Sequence, residues 1–146
     1  QERKERIILL YGSRQPEAFL FHDELVEMAN QQRIEVRLSV DFAESLPDIY
    51  ERIVCKVGLV SELLTDLDFA PRRTVAAVCG PSSDLVYYLK KAALIGVPAT
   101  KVFATLERRM RCGIGECCHC VVGGQYICKA GPVFNLKQLR NMKEAI

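Results

Sequence analysis

Hydrophobic and polar residues form patterns that predict four strands in the first 105 residues. Strict alternation over Ile34–Val40 predicts a strand with one buried face. The short apolar run Ile7–Tyr11 fits a buried strand followed by a turn, and Thr74–Cys79 is typical of a strand buried on both faces of a parallel sheet. A last short strand is predicted over Val102–Ala104. Each of these segments is short enough to cross a small sheet once.

Apolar residues recur at helical spacing between the predicted strands. They predict one helix from Pro16 to about Gln31, a short helix over Val60–Leu67, and a third whose apolar face runs from Leu85 to Ile95. The stretch Phe42–Cys55 has no regular pattern. Strands that alternate with helices in this way predict an α/β fold with an open parallel sheet.

Length and composition limit the classes of protein to which the chain can belong. The 146 residues have room for one domain with a small appendage, and 49% hydrophobic with 26% charged residues is an ordinary globular balance. No apolar run approaches the roughly 18 residues of a membrane span. The net charge of +2 is too small to indicate a nucleic-acid binder. Composition changes near Leu106, so we expect an α/β domain over 1–105 and a separate segment over 106–146.

Cysteine is the unusual component of the chain, with seven residues, five of which fall between positions 112 and 128. A secreted disulfide scaffold spreads an even number of cysteines through its fold. A tight cluster on a chain that is otherwise rich in core residues is typical of a metal site in a reducing compartment. We therefore expect a cytoplasmic protein.

The spacing of this cluster favours an iron–sulfur centre. The candidate ligands follow C-x4-C-x2-C with a fourth cysteine after seven more residues: Cys112, Cys117, Cys120 and Cys128. This is the loop spacing of plant-type [2Fe–2S] ligation. Gly113 and Gly115 permit the loop to wrap with its N–H groups toward sulfur, because glycine accepts positive φ.

Other interpretations of the cluster stay open at this point. A structural zinc ion would make the segment a metal-stapled, non-catalytic interaction domain, although zinc usually takes two C-x2-C pairs and only one is present. Cys118 could replace Cys117 through C-x5-C-x-C, but we interpret it as a non-ligand. His119 is interpreted as a loop residue. A thiol sensor built on Cys117 and Cys118 would strain a disulfide between neighbouring residues.

Two turns at predicted strand ends are candidate nucleotide sites, since ligands of open α/β sheets bind at the carboxyl ends of strands. A glycine there lets a flat ligand lie against the backbone, and a hydroxyl beside a guanidinium suits a phosphate or ribose. The residues concerned are Gly12, Ser13 and Arg14 after the first strand and Cys79, Gly80 and Pro81 after the third. No G-x-G-x-x-G loop occurs, so the chain is expected to lack a first strand and to be a fragment or one piece of a split protein.

Taken together, these motifs resemble the C-terminal part of iron–sulfur flavoproteins of the ferredoxin–NADP reductase superfamily. The segments that carry the resemblance are YGSRQPEAFLFHDEL, VGLVSELL, CGPSSDL, LERRMRCGIGECCHC and YICKAGPVF. The sequence is most similar to the gamma subunits of sulfhydrogenases and to the B subunit of anaerobic sulfite reductase. It is similar, more distantly, to the electron-transfer subunit of dihydroorotate dehydrogenase. The resemblance covers nearly the whole chain.

The resemblance implies an electron-transfer subunit that links NAD(P)H to a [2Fe–2S] cluster through FAD. It implies that Cys112, Cys117, Cys120 and Cys128 hold the cluster. Cys79, Gly80 and Pro81 match the turn that borders the nicotinamide, and Gly12, Ser13 and Arg14 match the loop on the adenosine side. FAD would be held by an N-terminal domain outside this segment. The implied partners are catalytic hydrogenase or reductase subunits and other iron–sulfur subunits. Cys118 departs from the pattern, because relatives usually have glycine there.

Overall fold

The chain forms two compact units, Gln1–Leu67 and Asp68–Ile146. The computed structural model describes residues 5–43, 53–143 and 145. Within that part of the chain, no helix is long and apolar enough to cross a membrane. The division into units follows backbone packing. The functional boundary expected between residues 105 and 106 stays a prediction.

The first unit contains a three-stranded parallel sheet. Its strands are β1 (Ile8–Ser13), β2 (Glu35–Val40) and β3 (Ile53–Val57), in the order β1-β2-β3. The central strand β2 is the most deeply buried because it has a neighbour on each side. Its register pairs residue 8 with residue 35 on one side and residue 36 with residue 53 on the other. The core of this unit comprises Phe19, Ala29, Val36, Leu38, Val40 and Ile53.

The predicted helix from Pro16 to about Gln31 is wrong in its first half. The structure has a 3₁₀ turn at Pro16–Ala18, and α1 extends only over His22–Asn30. Phe21 lies between them with a left-handed φ of 58°, which ends any continuous helix. Phe19 is buried and packs edge-to-face on Tyr11, whose hydroxyl accepts a hydrogen bond from the Leu20 N–H. Tertiary contacts of the aromatic pair thus override the helical spacing.

Two further expectations for the first unit need correction. The strand β3 was not predicted from the sequence, because its first residues, Ile53–Cys55, fall within the stretch expected to be irregular. The part of that stretch from residue 44 to residue 52 lies outside the described residues. The helix expected over Val60–Leu67 is a 3₁₀ turn over Val60–Leu64.

The second unit contains a mixed three-stranded sheet in which β4 (Ala76–Val78) lies parallel to β5 (Val102–Thr105). The crossover between them is α2 (Ser82–Leu94), which ends before Gly96 at φ 87°. The last strand, β8 (Val133–Asn135), pairs antiparallel with β5. The α/β class with an open parallel sheet is therefore confirmed, and the antiparallel edge is an addition to it. An antiparallel edge on a parallel sheet is a common arrangement.

The chain between β5 and β8 holds a small hairpin that the sequence patterns did not predict. Its strands are β6 (Val121–Val122) and β7 (Gln125–Tyr126), joined by Gly123 and Gly124. Both glycines have positive φ, 54° and 78°, which a two-residue turn of type I′ requires. A short helix α3 (Ile127–Ala130) follows directly.

The C-terminal part of the second unit is fixed to the sheet by a capped helix. In α4 (Leu136–Asn141), the Asn135 side chain accepts the Gln138 N–H and the Gln138 side chain accepts the Asn135 N–H, each at 2.9 Å. This reciprocal pair satisfies two N–H groups at the start of the helix. The buried core of the unit joins α2, the sheet and this C-terminal part; it includes Leu85, Leu89, Val102, Ala104, Ile127, Phe134, Leu136 and Leu139.

Glu35 on β2 gives the first unit a pH-dependent contribution to stability. Arg6 donates to its carboxylate (Nη2 to Oε2, 2.6 Å), as does Arg37 (Nε to Oε1, 2.9 Å). The Arg6 hydrogen bond, with the Arg37 hydrogen bond and both charges, holds the pKa of Glu35 below its ordinary value. A depressed carboxyl pKa stabilises the fold above the unfolded-state pKa of about 4.3, and that stability is lost as pH falls through the folded-state value.

We therefore expect Glu35→Gln to lower the free energy of unfolding at pH 7 by up to about 1 kcal/mol and to have a smaller effect near pH 3. Urea unfolding at both pH values measures this difference. Glu5→Gln, which changes an exposed glutamate just before the same sheet, is the matched control. An equal loss of stability at both pH values would contradict the assignment.

The two hairpin glycines differ in their surroundings and should differ in their tolerance of a side chain. A Cβ at Gly123 would lie 3.0 Å from the backbone N and O of Lys143, whereas a Cβ at Gly124 would meet nothing within 4 Å. Both alanine variants incur the left-handed backbone cost of about 1–2 kcal/mol. We expect Gly123→Ala to be clearly more destabilising than Gly124→Ala, because rigid backbone must also move. Denaturant midpoints of the two variants test this, and equal midpoints would refute it.

Candidate functional site

The first candidate ligand, Cys112, is surrounded by backbone donors of its own loop. Its Sγ accepts the N–H groups of Glu116 and Cys117, each at 3.4 Å. Gly113 and Gly115 have φ values of 72° and 80°, and these left-handed conformations turn the chain back around the sulfur. The N–H groups of Cys117, Ile114 and Glu116 lower the pKa of Cys112 to about 6. The loop therefore favours a thiolate at this position.

The hairpin brings the other two candidate ligands of the cluster side by side. Cys120 directly precedes β6, Cys128 lies two residues after β7, and the Ile127 N–H donates to the Cys120 carbonyl at 3.2 Å. The backbone N–H of Cys128 is the main cause of the lowered pKa of Cys120. Burial raises the pKa of the Cys128 thiol. A seven-residue gap is thus the length of chain that a tight hairpin needs to return to its start.

A link between loop and hairpin places all four thiols in one region. The backbone N–H of Gly115, inside the first loop, hydrogen-bonds to Cys128. The Lys129 stem packs so closely on Gly115 that a Cβ there would overlap it, and the Tyr126 ring lies on the same side. The thiols form two neighbouring pairs, Cys112 with Cys117 and Cys120 with Cys128.

The pairwise arrangement suits a binuclear centre. Within residues 5–43 and 53–143, no group of three or more His, Cys, Asp or Glu side chains is set to enclose one metal ion. A [2Fe–2S] cluster takes two protein ligands on each iron, whereas structural zinc needs four around one ion. Two thiol pairs with N–H groups directed at them would offer two ligands to each iron of such a cluster. The ligand identities themselves stay predictions.

The remaining polar residues of the loop contact its own backbone and one ring. Cys118 has a left-handed φ of 59°, and its exposed thiol lies 3.6 Å from both the Glu116 carbonyl and the Tyr126 hydroxyl. That contact with Cys118 is the main reason that the pKa of Tyr126 is raised. His119 Nδ1 lies 2.8 Å from the Cys117 carbonyl, so this nitrogen carries the proton and donates it. The side chains of Cys118 and His119 therefore contact residues of the loop and of the hairpin that follows it.

The turn after β4 borders a cavity of about 170 Å³ within the second unit. Gly80 lies on its wall, and a Cβ there would meet nothing within 4 Å, so space is open above the backbone. Cys79 is exposed and its Sγ lies 4.0 Å from Oε1 of Glu107. Pro81 is the N-cap of α2. Of the three predicted residues, Gly80 therefore lines this cavity, and Cys79 contacts another of its lining residues, Glu107.

Glu107 and Thr105 are crevice residues that the sequence patterns did not single out. Both line the cavity at the carboxyl end of β5, next to the end of β4. The Thr105 hydroxyl is buried and has no hydrogen-bond partner among the described residues. The signal was present, because the strand-end rule that selects Cys79 applies equally to the neighbouring strand.

The first unit places the other predicted turn beside an unpredicted acid. Gly12 packs tightly, because a Cβ at this position would lie 3.0 Å from Val60 Cβ. Close packing is therefore one reason for a glycine here, whether or not a ligand binds. The Asp41 N–H donates to the Ser13 carbonyl at 3.1 Å, and the Phe42 N–H donates to the Arg14 carbonyl at 3.2 Å. The exposed side chains of Arg14 and Asp41 therefore leave the same edge of the sheet.

The first unit also has a cavity, of about 230 Å³, which lies where β2 and β3 end. Its cation, Lys56, is already bound to Asp66 at 2.7 Å, and Glu62 adds a further carboxylate to its lining. Acidic walls with a neutralised cation are unsuited to a phosphate. The cavity therefore does not extend the candidate nucleotide site.

Comparison with known proteins identifies the cysteine segment. Residues 107–140 match the family described as the iron–sulfur cluster binding domain of dihydroorotate dehydrogenase B. This range contains all four candidate ligands.

Similarity to curated proteins extends over most of the chain. The chain is 33% identical over 141 residues to the gamma subunit of sulfhydrogenase 2 of Pyrococcus furiosus. The alignment covers 89% of the chain and 49% of that protein. Identity to the sulfhydrogenase 1 gamma subunit of the same organism is 32%, over 88% of the chain and 44% of that protein. A probable dihydroorotate dehydrogenase B electron-transfer subunit of Thermoplasma acidophilum is 42% identical over 60% of the chain and 33% of its own length.

The chain spans about half the length of the sulfhydrogenase subunits that it matches. A solved structure of an NADH-dependent reduced ferredoxin–NADP oxidoreductase aligns with a TM-score of 0.47 and 19% identity, over 90% of the chain and 52% of that structure's chain. The resemblance to sulfhydrogenase gamma subunits and dihydroorotate dehydrogenase electron-transfer subunits is confirmed. Residues 107–140 thus match the iron–sulfur cluster binding domain of dihydroorotate dehydrogenase B, and the chain is similar over most of its length to sulfhydrogenase gamma subunits.

Proposed function

We propose that this chain is the cluster-bearing, nucleotide-binding part of an NAD(P)H-linked electron-transfer subunit. The observation that carries the proposal is the pairing of four thiols, with backbone N–H groups directed at them, inside the segment that matches the cluster-binding family. Cys112 and Cys117 would hold one iron of a [2Fe–2S] centre, and Cys120 and Cys128 the other. When bound, such a centre accepts and releases one electron at a time.

The chain's own residues prepare this site in three ways. N–H groups at Cys112 and Cys120 stabilise negative sulfur before any metal arrives. The buried position of Cys120 keeps water from one thiol pair, which lowers the local dielectric constant. The hairpin and its glycine turn fix the separation of Cys120 from Cys128. These groups would therefore need little rearrangement on loading.

The crevice after β4 and β5 is the proposed nicotinamide wall. Gly80 leaves room for a flat ring against the backbone, and Cys79 and Glu107 form a thiol–carboxylate pair at its edge. A nicotinamide transfers two electrons as hydride, so a flavin is required between it and a one-electron centre. We assign FAD to a part of the protein outside this segment. Hydrogenase or reductase subunits and other iron–sulfur subunits are the proposed partners, and the cytoplasm is the proposed location.

The proposal predicts a defined metal content. Purified anaerobically or reconstituted with iron and sulfide, the chain should contain about two irons and two acid-labile sulfides. Absorption and electron paramagnetic resonance spectra should show a dithionite-reducible centre. Cys112→Ser, Cys117→Ser, Cys120→Ser and Cys128→Ser should each lose most of this centre, because each removes one thiolate ligand.

Cys118→Ser is the matched control, since it changes a neighbouring thiol and leaves the four proposed ligands intact. It should keep full iron and sulfide content. Tight binding of zinc with no labile sulfide would reject the proposal in favour of a metal-stapled interaction domain. Loss of the centre in Cys118→Ser but not in Cys117→Ser would transfer the ligand role to Cys118.

Arg14 and Asp41 should set opposite preferences at the adenosine end of the nucleotide. A guanidinium accommodates the 2′-phosphate of NADPH, whereas a carboxylate hydrogen-bonds the ribose hydroxyls of NADH and repels that phosphate. We expect Asp41→Ser to improve NADPH binding relative to NADH on the order of tenfold, equivalent to about 1.4 kcal/mol. Arg14→Gln should shift the ratio the other way. Fluorescence titration with both nucleotides measures the ratio, and unchanged ratios in both variants would remove this edge from the nucleotide site.

A further inference from the structure

We propose that a cationic rim around the cysteine loop is a docking surface for an acidic one-electron protein partner. The cationic rim comprises Arg109, Arg111 and Lys129, and the exposed apolar residues Met110 and Ile114 belong to the same loop segment. The inference rests on the proposed function, because it names the kind of partner to which the cluster site would pass electrons.

The two compact units carry opposite charge. Residues 1–67 contain thirteen acidic and eight basic residues, whereas residues 68–146 contain five acidic and twelve basic residues. The imbalance is concentrated in the cysteine segment: residues 107–143 hold seven Lys and Arg against two Glu. A net charge of +2 for the whole chain conceals this separation. The second unit therefore presents a positive field, which the total had not predicted.

The cations of the rim lie directly beside the proposed ligands. Arg111 precedes Cys112 and Lys129 follows Cys128 in the sequence, and both side chains are exposed. The Lys129 stem crosses Gly115, so its ammonium group belongs to the loop surface. Any protein that accepts an electron from a cluster held by these four cysteines would have to approach this surface closely.

In the part of the chain that the structure describes, these cations have no carboxylate partner, whereas three cations of the first unit do. There, Arg6 and Arg37 pair with Glu35, and Lys56 pairs with Asp66. Within residues 5–43 and 53–143, no salt bridge joins Arg109, Arg111 or Lys129 to a carboxylate. Unpaired cations on one surface leave their field available to an incoming negative partner.

Apolar side chains complete the rim as a protein-binding surface. Ile114 is 59% exposed and Met110 is 41% exposed, and both lie between cations in the sequence. A small apolar centre with a charged border is the composition of protein interfaces, and redox encounters use small interfaces of this kind. Nucleic acid would use the cations but gain little from Met110 and Ile114. We therefore commit to an acidic protein surface as the occupant.

Binding to carriers of opposite charge tests the rim. Flavodoxin serves as an acidic one-electron protein and cytochrome c as a basic one, with binding measured by surface plasmon resonance at low ionic strength and at about 0.15 M, where the Debye length is ~8 Å. Wild-type chain should bind flavodoxin more tightly than cytochrome c, and salt should weaken that binding. The rim variant Arg111→Glu should weaken flavodoxin binding at least about fivefold, mainly through the association rate.

The matched control is Lys90→Glu, which reverses an exposed cation of the second unit outside the rim. It should retain binding within about twofold, since long-range charge alone is largely screened. Met110→Ser should weaken flavodoxin binding without changing its salt dependence. Equal losses in Lys90→Glu and the rim variant would overturn the proposal, because only overall charge would then matter.

Other occupants of the rim are measured in the same series. Rim-dependent binding of single-stranded DNA or anionic vesicles, with none to flavodoxin, would overturn the protein assignment, as would rim-dependent self-association in light scattering. Iron and sulfide content is determined separately for each protein. A chain that binds flavodoxin through the rim but takes up no cluster contradicts the proposed function alone. A chain that takes up the cluster but binds flavodoxin equally with and without the rim contradicts the inference alone.

Discussion

The cysteine loop depends on hydrogen bonds from backbone N–H groups to a cysteine sulfur, which is a weak acceptor. The N–H groups face the sulfur because residues with left-handed φ turn the backbone around it. Gly113, Gly115 and Cys118 adopt that conformation within six residues. For cysteine, the conformation has a cost that glycine avoids, and here the contacts of its thiol with Glu116 and Tyr126 offset part of it. The lowered pKa of Cys112 and the position of Cys117 both depend on this backbone path.

The sequence predicted the parts of the fold that depend on simple periodicity. The alternating strand at β2, the helix α2 and the strand β5 agree with their patterns, because each is packed on a continuous core. The expected helix from Pro16 failed where Phe19 and Tyr11 formed a tertiary contact that no local pattern encodes. The hairpin and β8 were not predicted, because strands of two or three residues are too short to show a hydrophobic period.

The candidate site was predictable to a different degree in its two halves. Cysteine spacing reflects chain length between ligands, so the segment could be selected from sequence and agrees with the matched family. The crevice depends on which strands lie next to each other. Cys79 and Gly80 were found because a turn follows a recognisable strand. Glu107 and Asp41 also follow predicted strands, but the order of the strands is needed to bring them next to the predicted turns. The net charge of the whole chain did not reveal the charge difference between the two units, because a net charge does not show how the charged residues are divided between them.

The antiparallel pairing of β8 with β5 has a consequence for how the redox element is built into the molecule. Thr105 pairs with Val133, and the Leu106 N–H donates to the Pro132 carbonyl at 3.0 Å. Residues 106–132 thus leave the sheet after Thr105 and return to it at Val133, the residue with which Thr105 pairs. The sheet itself closes the neck of this segment, and the buried side chains of Cys120, Val122 and Ile127 tie its middle to the core of the unit. The cysteine segment is therefore held by the scaffold at both ends and in its middle, so a change in its core-facing residues would also reach the sheet.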